Sequence, residues 1–530
     1  MRSRPIRSVA VVGAGMGGLT ASLYLAQRGH EVFLLERAKY PGGTAGFYTK
    51  RGMVYPTGAT LTFGLEPGGL FASILQEVGV HLPLYSVNHV MDVRLPDRNV
   101  PVVASRAEWL AALKTSFPER ASQVVRFWRA VEKTAQAAYL FAKARAALPV
   151  QAREDFLHIL ATMAANKSML GFGVQRLRAT VADALQEFHL DDYGPFRLFI
   201  DAQLFDAVQT TSEWAAWLPS CLALDIYRYG VWLPQGGVPA LAAAMADRAR
   251  TLGVHVLFSN TVTDATYSHA SKQWCLRTNR GHELCVDAVV NATGTRVTAQ
   301  TDEPVSGDTS ASQVSGAQWG AVRVDALMSG QGVQEAWFHR DDARAPFAIQ
   351  IADDAGLDAP HEGPCGPLYI TFHPGEAAED RYGAPIGEQA IAVTVSAHTR
   401  PHDWLNLPKA MYHERKQRWL QDMFERIDRR LPHFSEHMVT CSMGTPLTYA
   451  RYLNKAWVGG VPLTVANAIS RPRGPKTPWP RWYLAGDTVF PGPGMLSAAL
   501  SGFFAARSID PRIGQRAYKM DESPSSLVRR

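Results

Sequence analysis

Apolar residues run almost unbroken through 8–12 and again through 31–36, the pattern of short strands buried on both faces. Between them, 19–28 reads as a helix with Gly29 as its C-cap. The same alternation returns far along the chain. Residues 240–252 read as a helix ended by Gly253, and 254–258, 274–278 and 287–291 read as strands. Residues 483–485 form another short apolar run, followed by an Ala-rich apolar helix over 495–506. Strand, helix and strand in this order predict a parallel sheet assembled from distant parts of the chain. Residues 96–228 read as mostly helical. Residues 317–400 read as strands (321–324, 335–339, 347–351, 368–372 and 390–397) of an antiparallel sheet. The helix over 409–431 is dense in charge and expected to face solvent. Beyond Asp510 periodicity is lost, and 520–530 reads as a tail.

The turn between the first strand and helix carries chemistry. Gly13-Ala14-Gly15-Met16-Gly17-Gly18 follows the strand, and the second strand ends on Glu36-Arg37. Gly13 permits the tight turn, Gly15 lets backbone approach a pyrophosphate, and Gly18 lets the helix pack closely. The helix N-terminus offers free N–H groups to phosphate, and Glu36 can accept from ribose hydroxyls. Strand, glycines, helix and acid together make the signal specific. A second glycine turn, Pro41-Gly42-Gly43-Thr44-Ala45-Gly46, and then Gly58-Ala59-Thr60, suit an extended dinucleotide better than a plain nicotinamide cofactor.

The C-terminal end repeats the theme. Gly486-Asp487 closes a strand, and Gly494-Met495 opens a helix. The Asp carboxylate suits a polyol such as ribityl, and the helix N–H groups suit the electron-rich edge of a flavin. Main-chain groups near Val262 suit an adenine, and Asn291-Ala292-Thr293-Gly294 ends a further strand.

These pieces, with Pro234-Gln235-Gly236-Gly237, Gly444-Thr445-Pro446, Arg451 and Gly459-Gly460, resemble the carotenoid desaturase and isomerase family of flavoproteins. Gly-Gly-Thr-Ala-Gly-Phe-Tyr at 42–48 and Gly-Asp-Thr-Val-Phe-Pro-Gly at 486–492 look most like its isomerase and C-3′,4′ end-group desaturase branch. The likeness is good at both ends and over 230–295, and poor over 95–225 and 300–435. The family's acid before the glycine at 58 is missing, since Thr57 stands there. The resemblance implies an α/β (α+β overall) fold: a Rossmann-type FAD-binding domain built from a discontinuous chain, an antiparallel-sheet substrate domain and a helical cap. The boundaries expected are 1–95, 229–300 and 470–512 for FAD, 96–228 for the helical region, 301–469 for the substrate domain and 513–530 for the tail. It implies non-covalent FAD held by Gly13, Gly15, Gly17, Gly18, Glu36, Arg37, Gly43, Thr44, Gly58, Ala59, Thr60, Val262, Gly294, Gly486, Asp487, Gly494 and Met495.

The implied reaction is dehydrogenation of a C40 polyene, with oxygen or a quinone as final electron acceptor. A hydride leaves an allylic carbon for the flavin and a neighbouring carbon loses a proton. The polyene delocalises the intervening cation, so no strong protein base is obligatory. Thr445, Thr448, Arg451 and Phe490 are the candidates to line the reacting site. Cis–trans isomerisation with reduced flavin needs nearly the same motifs and stays open. A flavin-free prenyl carrier on this fold is disfavoured by the intact Glu36 and Gly486-Asp487. A flavin amine oxidase would favour an aromatic cage and often a covalent flavin link, for which no signature is clear.

Composition narrows the picture little further. At roughly 150 residues per domain, 530 residues predict two to four units. A net charge of +6 suits anionic lipid but is too weak to argue nucleic acid. The basic Met1–Arg7 stretch mimics a secretory signal, but Gly13, Gly15, Gly17 and Gly18 break the apolar run behind it. The five scattered Cys (221, 275, 285, 365 and 441) lack CxxC or metal spacing and predict reduced thiols of a cytosolic protein, with no disulfide framework and no metal. Trp109, Phe127, Trp128, Tyr139, Phe141 and Phe156 recur among Arg126, Arg129, Lys133, Lys143, Arg145, Arg153, Lys167, Arg176 and Arg178. That mix suits either an ordinary helical core with solvated faces or peripheral docking on the inner membrane, from which an apolar substrate would enter.

Overall fold

The computed structural model describes residues 5–50, 53–150, 153–165, 174–302, 319–329, 347–353, 365–373 and 390–514. The expected strand over 335–339 and the tail over 520–530 lie outside them.

A five-stranded parallel sheet forms the base. Its order is Trp482–Leu484, Ala288–Asn291, Ser8–Val12, Glu31–Glu36, His255–Phe258. Every residue of Ser8–Val12 is buried, as the unbroken apolar run requires. Helices Met16–Gln27, Gly237–Thr251 and Met495–Ile509 pack on one face, and a four-stranded sheet centred on Gln273–Thr278 covers the other with Trp274 and Leu276. The first helix begins at Met16, earlier than the pattern suggested, so Gly17 and Gly18 are its first-turn residues. Their lack of side chains sets the packing. A Cβ on Gly18 would lie 1.9 Å from the Gly13 carbonyl oxygen, and one on Gly502 would lie 2.1 Å from that of Gly17. The first and last helices therefore cross at close range, which joins the two ends of the chain at one site.

A second, seven-stranded sheet runs Met438–Gly444, Gly320–Ser329, Ala390–Thr399, Cys365–His373, Ala348–Ile351, His89–Arg94, Asn99–Val103. The last two strands were expected in the dinucleotide and helical regions. They join this sheet because His89–Arg94 pairs in parallel with Ala348–Ile351. Strand alternation gives the sheet two characters. Val322, Val324, Ile370, Val393 and Val395 pack under Trp419, Met423 and Ile427 of helix Lys409–Asp428, so that charged helix buries one full face. Arg323, Tyr369, Thr371, Thr394, Ser396 and His398 line a cavity on the other side.

The helical region packs above as a core of its own. Trp109, Phe127 and Trp128 are buried in it, and Tyr139 is buried in the core beneath the first sheet. Four of the six aromatics considered for membrane contact are thus core. Arg145 is also buried, paired with Glu77 (Nη2 to Oε1, 2.5 Å) and set over the Phe503 ring. The thiol expectation also fails at one place. Cys275 and Cys285 stand opposite each other on antiparallel strands and form a disulfide, while Cys221 and Cys441 are free. A spacing of ten residues across a hairpin carries no CxxC signature, so the pair was invisible before the strand register was known. Among the described residues, no helix is long and apolar enough to cross a membrane.

Candidate active site

The two glycine turns stack. Gly13 takes φ 102°, a value that favours glycine, and its N–H donates to the Leu35 carbonyl at 2.7 Å. Gly42 donates to the Ala14 carbonyl at 2.8 Å and bridges Gly15. A Cβ on Gly15 would meet nothing nearer than 4.0 Å, so this Cα faces open space. No side chain caps the helix behind it. The groove therefore offers bare backbone and free N–H groups where a pyrophosphate would lie. At its edge, Glu36 accepts from Ala14 N–H and Ala38 N–H, each at 2.7 Å. Burial pushes its carboxyl up, and the two N–H groups oppose that. Its remaining lone pairs open on the cavity.

At the other end, Gly486 N–H donates to Ser501 Oγ at 2.7 Å, fixing the strand end against the last helix. Asp487 Oδ2 receives Lys455 Nζ at 2.8 Å, both side chains largely buried. Lys455 was not anticipated. It sits beyond helix Pro446–Leu453 and has no local signature. Gly494 caps helix Met495–Ile509 without a side-chain bond, leaving its first N–H groups open toward the cavity.

One cavity of about 980 Å³ connects these parts. Of the expected cofactor residues, all line it except Gly18 and Gly294. Gly18 is a packing residue, as above. Gly294 backs the lining, and a Cβ there would press on Asp487 Oδ1 at 3.3 Å. Bare glycine backbone, a ribose-side acid, a second acid beside a lysine and an open helix N-terminus along one groove fit FAD.

The reacting-site candidates fare differently. Thr445 and Thr448 form a capping box for helix Pro446–Leu453, with Thr445 N–H on Thr448 Oγ1 at 3.1 Å, and neither lines the cavity. Arg451 points outward over Tyr452, and its carbonyl accepts from Arg37 Nη2 at 2.6 Å. Hydroxyls beside a Pro at a helix start serve the backbone first. Phe490 does line the cavity, packed on Phe504.

Beyond the dinucleotide groove, the cavity runs between the helical cap and the polar face of the second sheet. Ala137, Phe141, Leu148, Leu218, Leu222 and Ile226 form the cap side. Thr371 Oγ1 reaches Thr60 Oγ1 at 3.4 Å, joining the sheet to the segment after Gly58. Arg323 is buried on Asp325 (Nε to Oδ1, 2.8 Å), which in turn accepts from Tyr48. Burial opposes the Arg323 charge, but Asp325, together with Tyr449 and Tyr48, more than offsets this. Asp206, also unforeseen, opens on the cavity from the end of helix Gly194–Val208.

A family model described as "FAD dependent oxidoreductase" matches residues 8–507. Prolycopene isomerase of Arabidopsis thaliana is 23% identical over 518 residues, 95% of this chain and 82% of that protein. Phytoene dehydrogenase of Streptomyces griseus is 28% identical over 292 residues, 54% of each chain. Among solved structures, a triple mutant of putrescine oxidase superposes with a TM-score of 0.61 at 14% identity, covering 96% of this chain and 98% of that one.

Proposed function

This chain belongs to the FAD-dependent oxidoreductase family, and on that premise we propose that it dehydrogenates a carotenoid, placing a new double bond in conjugation with the polyene. FAD is its cofactor. The observation that carries the reading is the single cavity, continuous from the glycine turns to the helical cap and walled there by Ala, Leu, Ile and Phe. Such a wall takes an apolar chain and excludes water, at about 25 cal/mol per Å² of apolar surface covered.

Bound FAD supplies the acceptor for a hydrogen leaving with its electron pair. The protein's own contribution is position. Segments 1–88, 229–300 and 470–512 hold the cofactor, the second sheet floors the cavity, and the cap aligns the chain against Thr60, Phe63 and Phe490. Isomerisation is the second reading. It is favoured by the likeness to a prolycopene isomerase over 95% of this chain.

Supply from a membrane surface is part of the proposal, with the docking face revised. Phe156, Leu157 and Leu160 are exposed along helix Arg153–Ala165, as are Leu140 and Val150 earlier in the chain. Apolar side chains displayed this way suit insertion at a lipid interface. Oxygen or a quinone then reoxidises the flavin. Incubating the FAD-loaded protein with carotenoids in liposomes, with the flavin oxidised and again with it reduced, and separating the pigments tests the reading: a product absorbing at longer wavelength supports dehydrogenation, a pigment of unchanged mass and altered spectrum supports isomerisation, and unchanged pigment in both states refutes both readings.

A further inference from the structure

Among the described residues, three carboxylates line the cavity: Glu36, Asp487 and Asp206. The first two are committed. Glu36 holds two backbone N–H groups at the groove's edge, and Asp487 holds Lys455. Asp206 differs from both. Protein surrounds it on its other sides, yet the side chain is exposed, and the space it opens on is the cavity. Its backbone carbonyl accepts from Gln209 Nε2 at 2.9 Å, but among the described residues no hydrogen bond or ion pair reaches its carboxyl.

The surroundings are aromatic. Tyr227 faces it from the short helix Ile226–Tyr229, and Tyr369 from strand Cys365–His373. Burial raises both phenols and the Asp206 charge raises them further, so both stay neutral. His398, from strand Ala390–Thr399, stacks its edge on Phe205 at 4.5 Å, and burial lowers it to about 4, so it too is neutral near pH 7. No cation faces the carboxyl from these elements. Asp206 also sits in the last turn of helix Gly194–Val208, where the carbonyl ends disfavour a negative charge. Tyr227 meets Phe63 edge to face at 5.3 Å, and Phe63 lies just beyond Thr60, so this corner adjoins the segment expected against the flavin.

We propose that Asp206 is the acid–base residue of this site, the carboxylate that accepts the proton from the substrate carbon. The proposal rests on the dehydrogenation reading. One C–H hydrogen leaves with its electron pair to oxidised FAD, the adjacent C–H gives H⁺ to the Asp206 carboxylate, and the electron pair left behind forms the new C=C. Burial, with no charge opposing it among the described residues, pushes the carboxyl up to about 6. A base poised near working pH is efficient, and general base catalysis of this kind contributes about 10²–10⁴-fold. In isomerisation the same group would act protonated, donating H⁺ to a polyene carbon and taking it back after rotation. The two readings therefore differ in which side of pH 6 is active.

The test compares wild type, Asp206→Asn and Asp206→Glu, all loaded with FAD. Infrared titration without substrate should show a carboxyl that protonates near pH 6 in wild type and is missing in Asp206→Asn. On liposomal carotenoid, Asp206→Asn should keep its flavin and lose about 10²–10⁴-fold in kcat. Its pH profile should lose the limb near 6, and Asp206→Glu should restore part of both. Survival of the infrared titration in Asp206→Asn, or an unchanged kcat and pH limb, overturns the proposal. If wild type turns over no carotenoid, the substrate reading fails, while the infrared result still decides whether Asp206 is poised.

Discussion

Lys455 Nζ lies 2.8 Å from Asp487 Oδ2, and the two meet beside Gly294, where the last strands of the parallel sheet end. The Gly-Asp turn thus carries its own counter-charge, delivered from a segment that covers the dinucleotide groove. Removing either partner leaves a largely buried charge unpaired.

Asp487→Ala is expected to weaken FAD retention about tenfold to a hundredfold, the worth of a charged hydrogen bond of about 1.5–3 kcal/mol. Lys455→Met should weaken it too, and the double variant should lose less than the sum of the singles. Flavin release followed by fluorescence measures all three. Additive losses would mean that the pair is not coupled at the cofactor.

The glycines of the first turn divide into two kinds. Gly15→Val should give a folded, colourless protein, because its side chain enters open groove. Gly18→Val should instead destabilise the fold, because even its Cβ overlaps the Gly13 carbonyl. Thermal unfolding alongside flavin content separates the two. A yellow Gly15→Val protein would break the assignment of this groove.

This division shows what was readable in advance. Each glycine turn, the Glu36 strand end and the Gly486-Asp487 strand end is a short contiguous stretch whose chemistry is local, so these parts of the groove were legible one by one. Asp206 was not, because its setting is assembled from Phe205, Tyr227, Tyr369 and His398 on four separate elements. Lys455 was hidden for the same reason. Trp109, Phe127 and Trp128 looked equally suited to lipid or core, and only the packed helices decide for the core. Strand His89–Arg94 gained its place from a partner some 250 residues later, at Ala348–Ile351.

Cys275 and Cys285 should resist alkylation until reductant is added, whereas Cys221 should label only on unfolding and Cys441 at once. Cys275→Ser should cost about 2–3 kcal/mol of stability by releasing a short loop constraint. Immediate labelling of Cys285 in the native protein would contradict the pairing.

Replacing Phe156, Leu157 and Leu160 together with Ser should lower co-sedimentation with liposomes and leave flavin content unchanged, since none of the three lines the cavity. Reversing Arg126 and Arg129 should matter less, and Arg145→Glu should act on folding, through the lost Glu77 pair. Undiminished liposome binding by the Ser variant would move the docking face elsewhere.

The most direct test of the whole account is anaerobic mixing of oxidised, FAD-loaded protein with a carotenoid in liposomes, following flavin absorbance and product mass together. The account predicts bleaching of the flavin in step with a pigment two hydrogens lighter and shifted to longer wavelength. A flavin that stays oxidised beside unaltered carotenoid would contradict it.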